Sequence, residues 1–123
     1  MIKKGVYAAS LSVLNEDKTL NINSTISHAV DAIKNGLHGV FFFGSTGQSQ
    51  LISIAEKKEL ISKISNHKMR KQFFLGTGNN SLNENIDLIK YAMEYDFRDF
   101  LIMPPAYYKG NTDEGVFDFY SRI

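Results

Sequence analysis

The chain contains no cysteine and almost no imbalance of charge. Without thiols, disulfide scaffolds, thiol catalysis and cysteine-based zinc sites are excluded, and an intracellular, cytoplasmic setting is expected. Lysine and arginine number 14 against 13 acidic residues, a net charge of +1. No basic excess marks nucleic acid or an anionic membrane as a partner, and neither is expected. No apolar run approaches the roughly 20 residues that a membrane span requires. Lys3-Lys4 and the following Gly5–Leu11 only faintly resemble a signal peptide. That stretch is short, Ser10 and Ser12 interrupt it, and no small-residue cleavage site follows, so a first buried strand is the better reading.

What is present is enough apolar material for a core. The 123 residues are 43% hydrophobic and 22% charged, the balance of one ordinary folded domain. Strand, loop and helix then repeat along the chain. Val6–Val13 is expected to be a strand. Asn23 or Ser24 caps a helix with Ile26, Val30 and Ile33 on one face, closed by Gly36. Val40-Phe41-Phe42-Phe43 is a continuous apolar run, as in a parallel strand buried on both sides. Ser53-Ile54-Ala55-Glu56 is a capping box opening a helix with Ile54, Ile61 and Ile64 inward, and Ser81-Leu82-Asn83-Glu84 is a second, followed by Ile86, Ile89 and Met93. Short strands at 72–75 and 100–103 and a last helix start at Asn111–Glu114 complete the pattern.

Strands near residues 6, 40, 72 and 100 recur at roughly the 30-residue interval of a βαβ unit. A parallel sheet follows, either doubly wound or part of a (β/α)₈ barrel. In both, ligand sites form in loops after the C-terminal ends of strands. Three such loops are notable: Gly44-Ser45-Thr46-Gly47-Gln48-Ser49, Gly76-Thr77-Gly78-Asn79-Asn80-Ser81 and Pro104-Pro105-Ala106-Tyr107-Tyr108-Lys109-Gly110. The first combines glycines, which let backbone N–H groups approach a ligand, with hydroxyl donors, and suits a small anion such as a carboxylate. A tight turn bonded to itself is the plainer reading. It lacks the spacing and terminal Lys-Ser/Thr of a phosphate loop, and Gly76-Thr77-Gly78 lacks the third glycine of a dinucleotide fingerprint. A loop tyrosine can relay protons or simply cover a core.

Taken together, in this order and spacing, the three loops resemble the dihydrodipicolinate synthase / N-acetylneuraminate lyase family of pyruvate-dependent class I aldolases, from about Gly5 to the last residue. Glu114-Gly115 also fits. The resemblance implies a TIM (β/α)₈ barrel in which pyruvate or another 2-keto acid forms a Schiff base with a lysine on the sixth strand, with no other cofactor and no metal. It implies that Ser45 and Thr46 bind the pyruvate carboxylate. Ser45 would also join a proton relay with two tyrosines, one of them Tyr108, which reaches into a neighbouring subunit's site. In the synthases, the residues matching Asn80, Glu84 and Tyr107 line an allosteric lysine pocket at the dimer interface, and the family is usually a homotetramer, a dimer of dimers.

A TIM barrel needs roughly 250 residues. This chain is therefore expected to be the N-terminal half of one barrel domain, residues 1–123, about four βα units, truncated in the fourth helix and inactive by itself. The Schiff-base lysine is expected in the missing half, roughly 50–60 residues further on at this βα spacing. The lysines present, Lys57 among them, are expected at helix surfaces, termini or loops. A solvated lysine, with a pKa of about 10.4, is a poor nucleophile at neutral pH. Unpaired edges on strands one and four predict that the isolated chain associates. Gln48 stands in place of the usual glutamate, Ser45 is the serine of the lyases, and Lys57 replaces a histidine of the lysine pocket in some synthases, which puts feedback inhibition in doubt. His28, His38 and His67 are expected to be structural or on the surface, Phe41–Phe43 to be core, and Lys68–Lys71 to be a solvated loop.

The expected activity is that of a Schiff-base lyase, first a 4-hydroxy-tetrahydrodipicolinate synthase joining pyruvate to aspartate semialdehyde in lysine biosynthesis. N-acetylneuraminate lyase or a 2-keto-3-deoxy sugar acid aldolase is the alternative. The non-enzymatic alternative is an anion-binding α/β module.

Overall fold

In the computed structural model, which describes residues 2–123, four parallel strands alternate with four helices. They are β1 (Tyr7–Ala9), α1 (Ile22–Lys34), β2 (Gly39–Phe42), α2 (Ile54–Ser65), β3 (Phe73–Gly76), α3 (Leu82–Glu94), β4 (Phe100–Leu101) and α4 (Asp113–Ser121). The strands lie side by side in chain order, β1-β2-β3-β4. A doubly wound sheet reverses its order at a switch point, and none occurs here. Same-handed crossovers in unbroken order leave the helices on one face, which is the wall of a (β/α)₈ barrel.

Alternation along the strands separates the two faces. Val40 and Phe42 of β2 and Phe73 and Leu75 of β3 are buried in one core with Ala29, Ile33, Leu60, Ile61, Ile64, Leu88 and Ala92 from the helices. The residues between them, Phe41 and Phe74, stack at 5.1 Å, and Tyr7 meets Phe74 edge-on at 5.4 Å. These rings occupy the inner face, away from the helices. Truncating a packed ring such as Phe42 to alanine would cost about 3–5 kcal/mol.

Several elements differ from the sequence expectation. Strand one is three residues rather than Val6–Val13, because the chain leaves the sheet after Ser10. Val13 then accepts from the Asn21 N–H, and Leu14 bridges Leu20 in antiparallel fashion. The cap of α1 is Asn21, whose Oδ1 accepts from the Ser24 N–H at 2.9 Å, rather than the expected Asn23 or Ser24. Its buried face is Ile22, Thr25, Ala29 and Ile33, with Ile26 and Val30 half-buried. Thr25 is inward because its hydroxyl accepts from the Val13 N–H at 3.0 Å. In α3, Asn85, Leu88, Ile89 and Ala92 are buried and Met93 is exposed. The capping box at Ser53 is complete. That at Ser81 is half-made: its hydroxyl accepts from the Glu84 N–H at 3.3 Å, without the return bond. Lys68–Lys71 is not a purely solvated loop, since Arg70 stacks over Phe97 at 4.6 Å and donates to the Tyr95 carbonyl. The histidines are structural or exposed as expected: His38 Nδ1 accepts from the Val6 N–H, His67 Nδ1 from the Met69 N–H, and His28 is exposed.

Candidate active site

All three notable loops emerge at the C-terminal ends of β2, β3 and β4. Strand β2 stops one residue short of the apolar run. Phe43 is buried but takes φ +60°, a left-handed conformation that phenylalanine rarely adopts, and so redirects the chain into Gly44–Ser49. The loop then crosses close to β1. A Cβ on Gly47 would stand 2.8 Å from the Ser10 carbonyl, so glycine is required there. Ser12 Oγ donates to the Gly47 carbonyl at 2.6 Å and fixes the approach.

Within this loop Ser45 and Thr46 are exposed. Ser45 Oγ donates weakly to Met103 Sδ at 3.9 Å, and the Ser45 carbonyl accepts from the Gln48 N–H at 3.0 Å. The backbone N–H groups of Ser45 and Thr46 and the Thr46 hydroxyl donate to no other group among the described residues. Two adjacent N–H groups and two hydroxyls suit a carboxylate.

The loop after β3 is packed against the first one. Gly78 takes φ +57°, and a Cβ there would sit 1.8 Å from Ser49 Oγ. Ser49 Oγ donates to the Thr77 carbonyl at 3.3 Å, and the Thr77 N–H donates to the Leu101 carbonyl of β4 at 3.1 Å. Asn80 Oδ1 accepts from the Ala106 N–H at 2.8 Å and so braces the loop after β4. That loop ends in two exposed tyrosines, Tyr107 (90% exposed, φ +75°) and Tyr108 (70%), whose rings meet edge-on at 5.5 Å. The Tyr108 carbonyl accepts from Asn111 Nδ2 at 3.2 Å.

Between the loops lies a cleft of about 680 Å³ lined by Phe43, Ser45, Gln48, Gly78, Met103 and Ala106, among others. It brings Ser45 together with the β3 and β4 loops. Thr46, Tyr107 and Tyr108 stand outside its lining, and Ser45 Oγ makes its bond to Met103 rather than to Tyr108. Glu84 is exposed in the first turn of α3. Among the described residues, no group of three His, Asp or Glu side chains is placed to hold a metal ion. No helix among them is long and apolar enough to cross a membrane.

One lysine is not where the sequence reading put it. Lys57 is fully buried. Its Nζ donates to the Thr77 carbonyl at 2.8 Å and to Asn79 Oδ1 at 2.9 Å, and lies 5.9 Å from the Phe43 ring centre. Burial lowers its pKa from 10.5 to about 8, and nearby Glu84 partly offsets that. The signal was present in the sequence: Lys57 is in phase with Leu60, Ile61 and Ile64, the inward stripe of α2.

Fold and site together define a piece of a (β/α)₈ barrel with a carboxylate-sized donor loop at the C-terminal face of its strands. Residues 3–123 match the Dihydrodipicolinate synthetase family, and the chain belongs to that family. It is 34% identical over 116 residues to the N-acetylneuraminate lyase of Haemophilus influenzae, covering 90% of this chain and 39% of that one. It is also 34% identical over 121 residues to the 4-hydroxy-tetrahydrodipicolinate synthase of Leptospira biflexa, covering 98% and 40%. The structure superposes on the dihydrodipicolinate synthase of Agrobacterium tumefaciens with a TM-score of 0.87 at 28% identity, over 98% of this chain and 42% of that one. The chain thus spans about 40% of the length of these relatives.

Proposed function

We propose that this chain supplies the carboxylate-anchoring end of a pyruvate-dependent class I aldolase. The observation that carries the reading is the Gly44–Ser49 loop, with Ser45 in the cleft and the unengaged Ser45 and Thr46 N–H groups beside it. A 2-keto acid anchored there by its carboxylate has its carbonyl oriented for attack by an amine. The amine is a lysine contributed by sequence outside these 123 residues; on forming an iminium it turns the adjacent carbon into a nucleophile. Tyr108, exposed at the end of a braced loop, is assigned the proton relay, acting in a neighbouring subunit. The exposed Tyr107 and Leu51 support self-association. A dimer of dimers and a cytoplasmic setting are proposed from the family resemblance.

Two reactions of the class stand level. The synthase reading, condensation of pyruvate with aspartate semialdehyde, is supported by the loop pattern and the Leptospira relative. The lyase reading, release of pyruvate from N-acetylneuraminate, is supported by Ser45 and the Haemophilus relative. Protein from the complete reading frame, assayed with both substrate sets, separates them. Turnover of neither, by a protein that binds pyruvate, would point to a sugar-acid aldolase. No pyruvate binding at all would favour an anion-binding module. Asn80, Glu84 and Tyr107 are proposed as interface and bracing residues rather than a lysine sensor, because Lys57 already places an ammonium near Glu84. Added lysine is therefore expected to leave the rate unchanged.

A further inference from the structure

We propose that Lys57 is a positioning residue of this site: its buried ammonium fixes the turn after β3 and, through Asn80, the loop that presents Tyr108. The proposal takes from the functional reading only what Tyr108 does, while the mechanical link stands on the geometry alone.

Lys57 is not a nucleophile of the cleft. It is fully buried, does not line the cleft, and spends its protons on two oxygens of one turn. That turn is the junction of the site. The Thr77 carbonyl receives both Lys57 Nζ and Ser49 Oγ, so the ammonium and the carboxylate loop meet on one atom. The Thr77 N–H reaches across to the Leu101 carbonyl. Three residues on, Asn80 Oδ1 accepts from the Ala106 N–H. From the other side Asn85 Nδ2 donates to the carbonyls of Asn79 and Ser81, so the turn is gripped from α2 and from α3.

The surroundings show why a cation is needed at this point. Thr77 Oγ1, Asn79 Nδ2 and Asn85 Oδ1 are already buried without a partner among the described residues, so losing the two bonds from Lys57 Nζ adds to a deficit that the turn already carries. A buried carbonyl that loses its donor has to move to find another. Movement at Thr77–Asn79 passes directly to Asn80, and the other bonds to the backbone of the Pro104–Tyr108 loop among the described residues are local, from the Tyr108 N–H to the Ala106 carbonyl and from Asn111 Nδ2 to the Tyr108 carbonyl.

The test is amide hydrogen exchange on protein from the complete reading frame, comparing wild type with Lys57→Met, Lys57→Gln and Asn80→Ala. In the Lys57 variants, the Thr77 and Ala106 amides are expected to exchange at least tenfold faster, with α1 amides unchanged. Asn80→Ala should release Ala106 but not Thr77, and adding Lys57→Met to it should change Ala106 no further. In turnover, the Lys57 variants should lose kcat while the KM for pyruvate stays within about twofold. A folded Lys57 variant with Ala106 exchange at the wild-type rate would overturn the proposal. So would additive effects at Ala106, or failure of both Lys57 variants to fold, which would make Lys57 a support of the whole domain. A wild-type protein that forms no pyruvate adduct would refute the functional reading and leave the exchange result standing.

Discussion

Ser12 Oγ donates to the Gly47 carbonyl at 2.6 Å across 35 positions of sequence, tying the exit of β1 to the loop that carries Ser45 and Thr46. The bond holds the loop whose proposed ligand-binding groups are the backbone N–H atoms and hydroxyls of Ser45 and Thr46. Ser12→Ala should therefore weaken substrate binding more than chemistry. Loss of one such bond is worth about 1 kcal/mol, or about a fivefold rise in KM for pyruvate with kcat little changed. Steady-state kinetics on the complete protein measure both.

Gly78 is held against Ser49 by a left-handed backbone and by the absence of a Cβ. Gly78→Ala should cost about 1–3 kcal/mol from backbone strain alone, with the collision added. Removing the Ser49 side chain relieves the collision but not the strain. Ser49→Gly combined with Gly78→Ala should therefore recover part of the lost stability, read as the denaturation midpoint.

The pKa of Lys57 makes a prediction with a definite sign. Folded, it titrates at about 8, and its ordinary value is 10.5. Between those values the unfolded chain holds a proton that the folded chain has released. Unfolding then takes up a proton, so this group adds stability as the pH rises through that window, and below pH 8 its contribution is flat and unfavourable. Subtracting the pH profile of Lys57→Met from that of wild type should leave that rise. A flat difference between pH 8 and 10.5 would contradict the lowered pKa.

The barrel units were legible because their signals are local. Val40–Phe43 and the repeated spacing announce parallel strands, and Ser53 with Glu56 and Ser81 with Glu84 mark helix starts. Only strand order tells a barrel from a doubly wound sheet, and order is a property of pairing, not of any segment. The α1 cap was misplaced because Asn21, Asn23 and Ser24 offer equal local chemistry, and the choice falls to Asn21 through the Val13 and Thr25 contacts. Phe43 read as strand because an apolar residue gives no sign of a left-handed turn. Lys57 was misplaced by charge: its helical phase was inward, but the two oxygens that make burial tolerable lie 20 and 22 residues away. In the site, residue types exposed the donor loop. The Asn80–Ala106 brace, a side chain bonded to a distant backbone, was invisible.

The outer strands β1 and β4 each pair with a single neighbour, and Leu101 on β4 is 48% exposed, as is Val6 beside β1 at 64%. Open apolar edges recruit other strands. The isolated 123-residue chain should therefore self-associate. Light scattering over a dilution series should show a mass above 13.9 kDa, and a monomer at all concentrations would refute this.

The central claim is that Ser45 and Thr46 anchor a keto acid for imine formation on a lysine elsewhere in the polypeptide. Its most direct test is to incubate protein from the complete reading frame with pyruvate, reduce it with borohydride and determine the intact mass. The account predicts one pyruvyl adduct per chain, on a lysine beyond residue 123, with trapping strongly reduced when Ser45 and Thr46 are both replaced by alanine. Folded wild-type protein with no adduct, or an adduct on Lys57 or another lysine within these 123 residues, would contradict it.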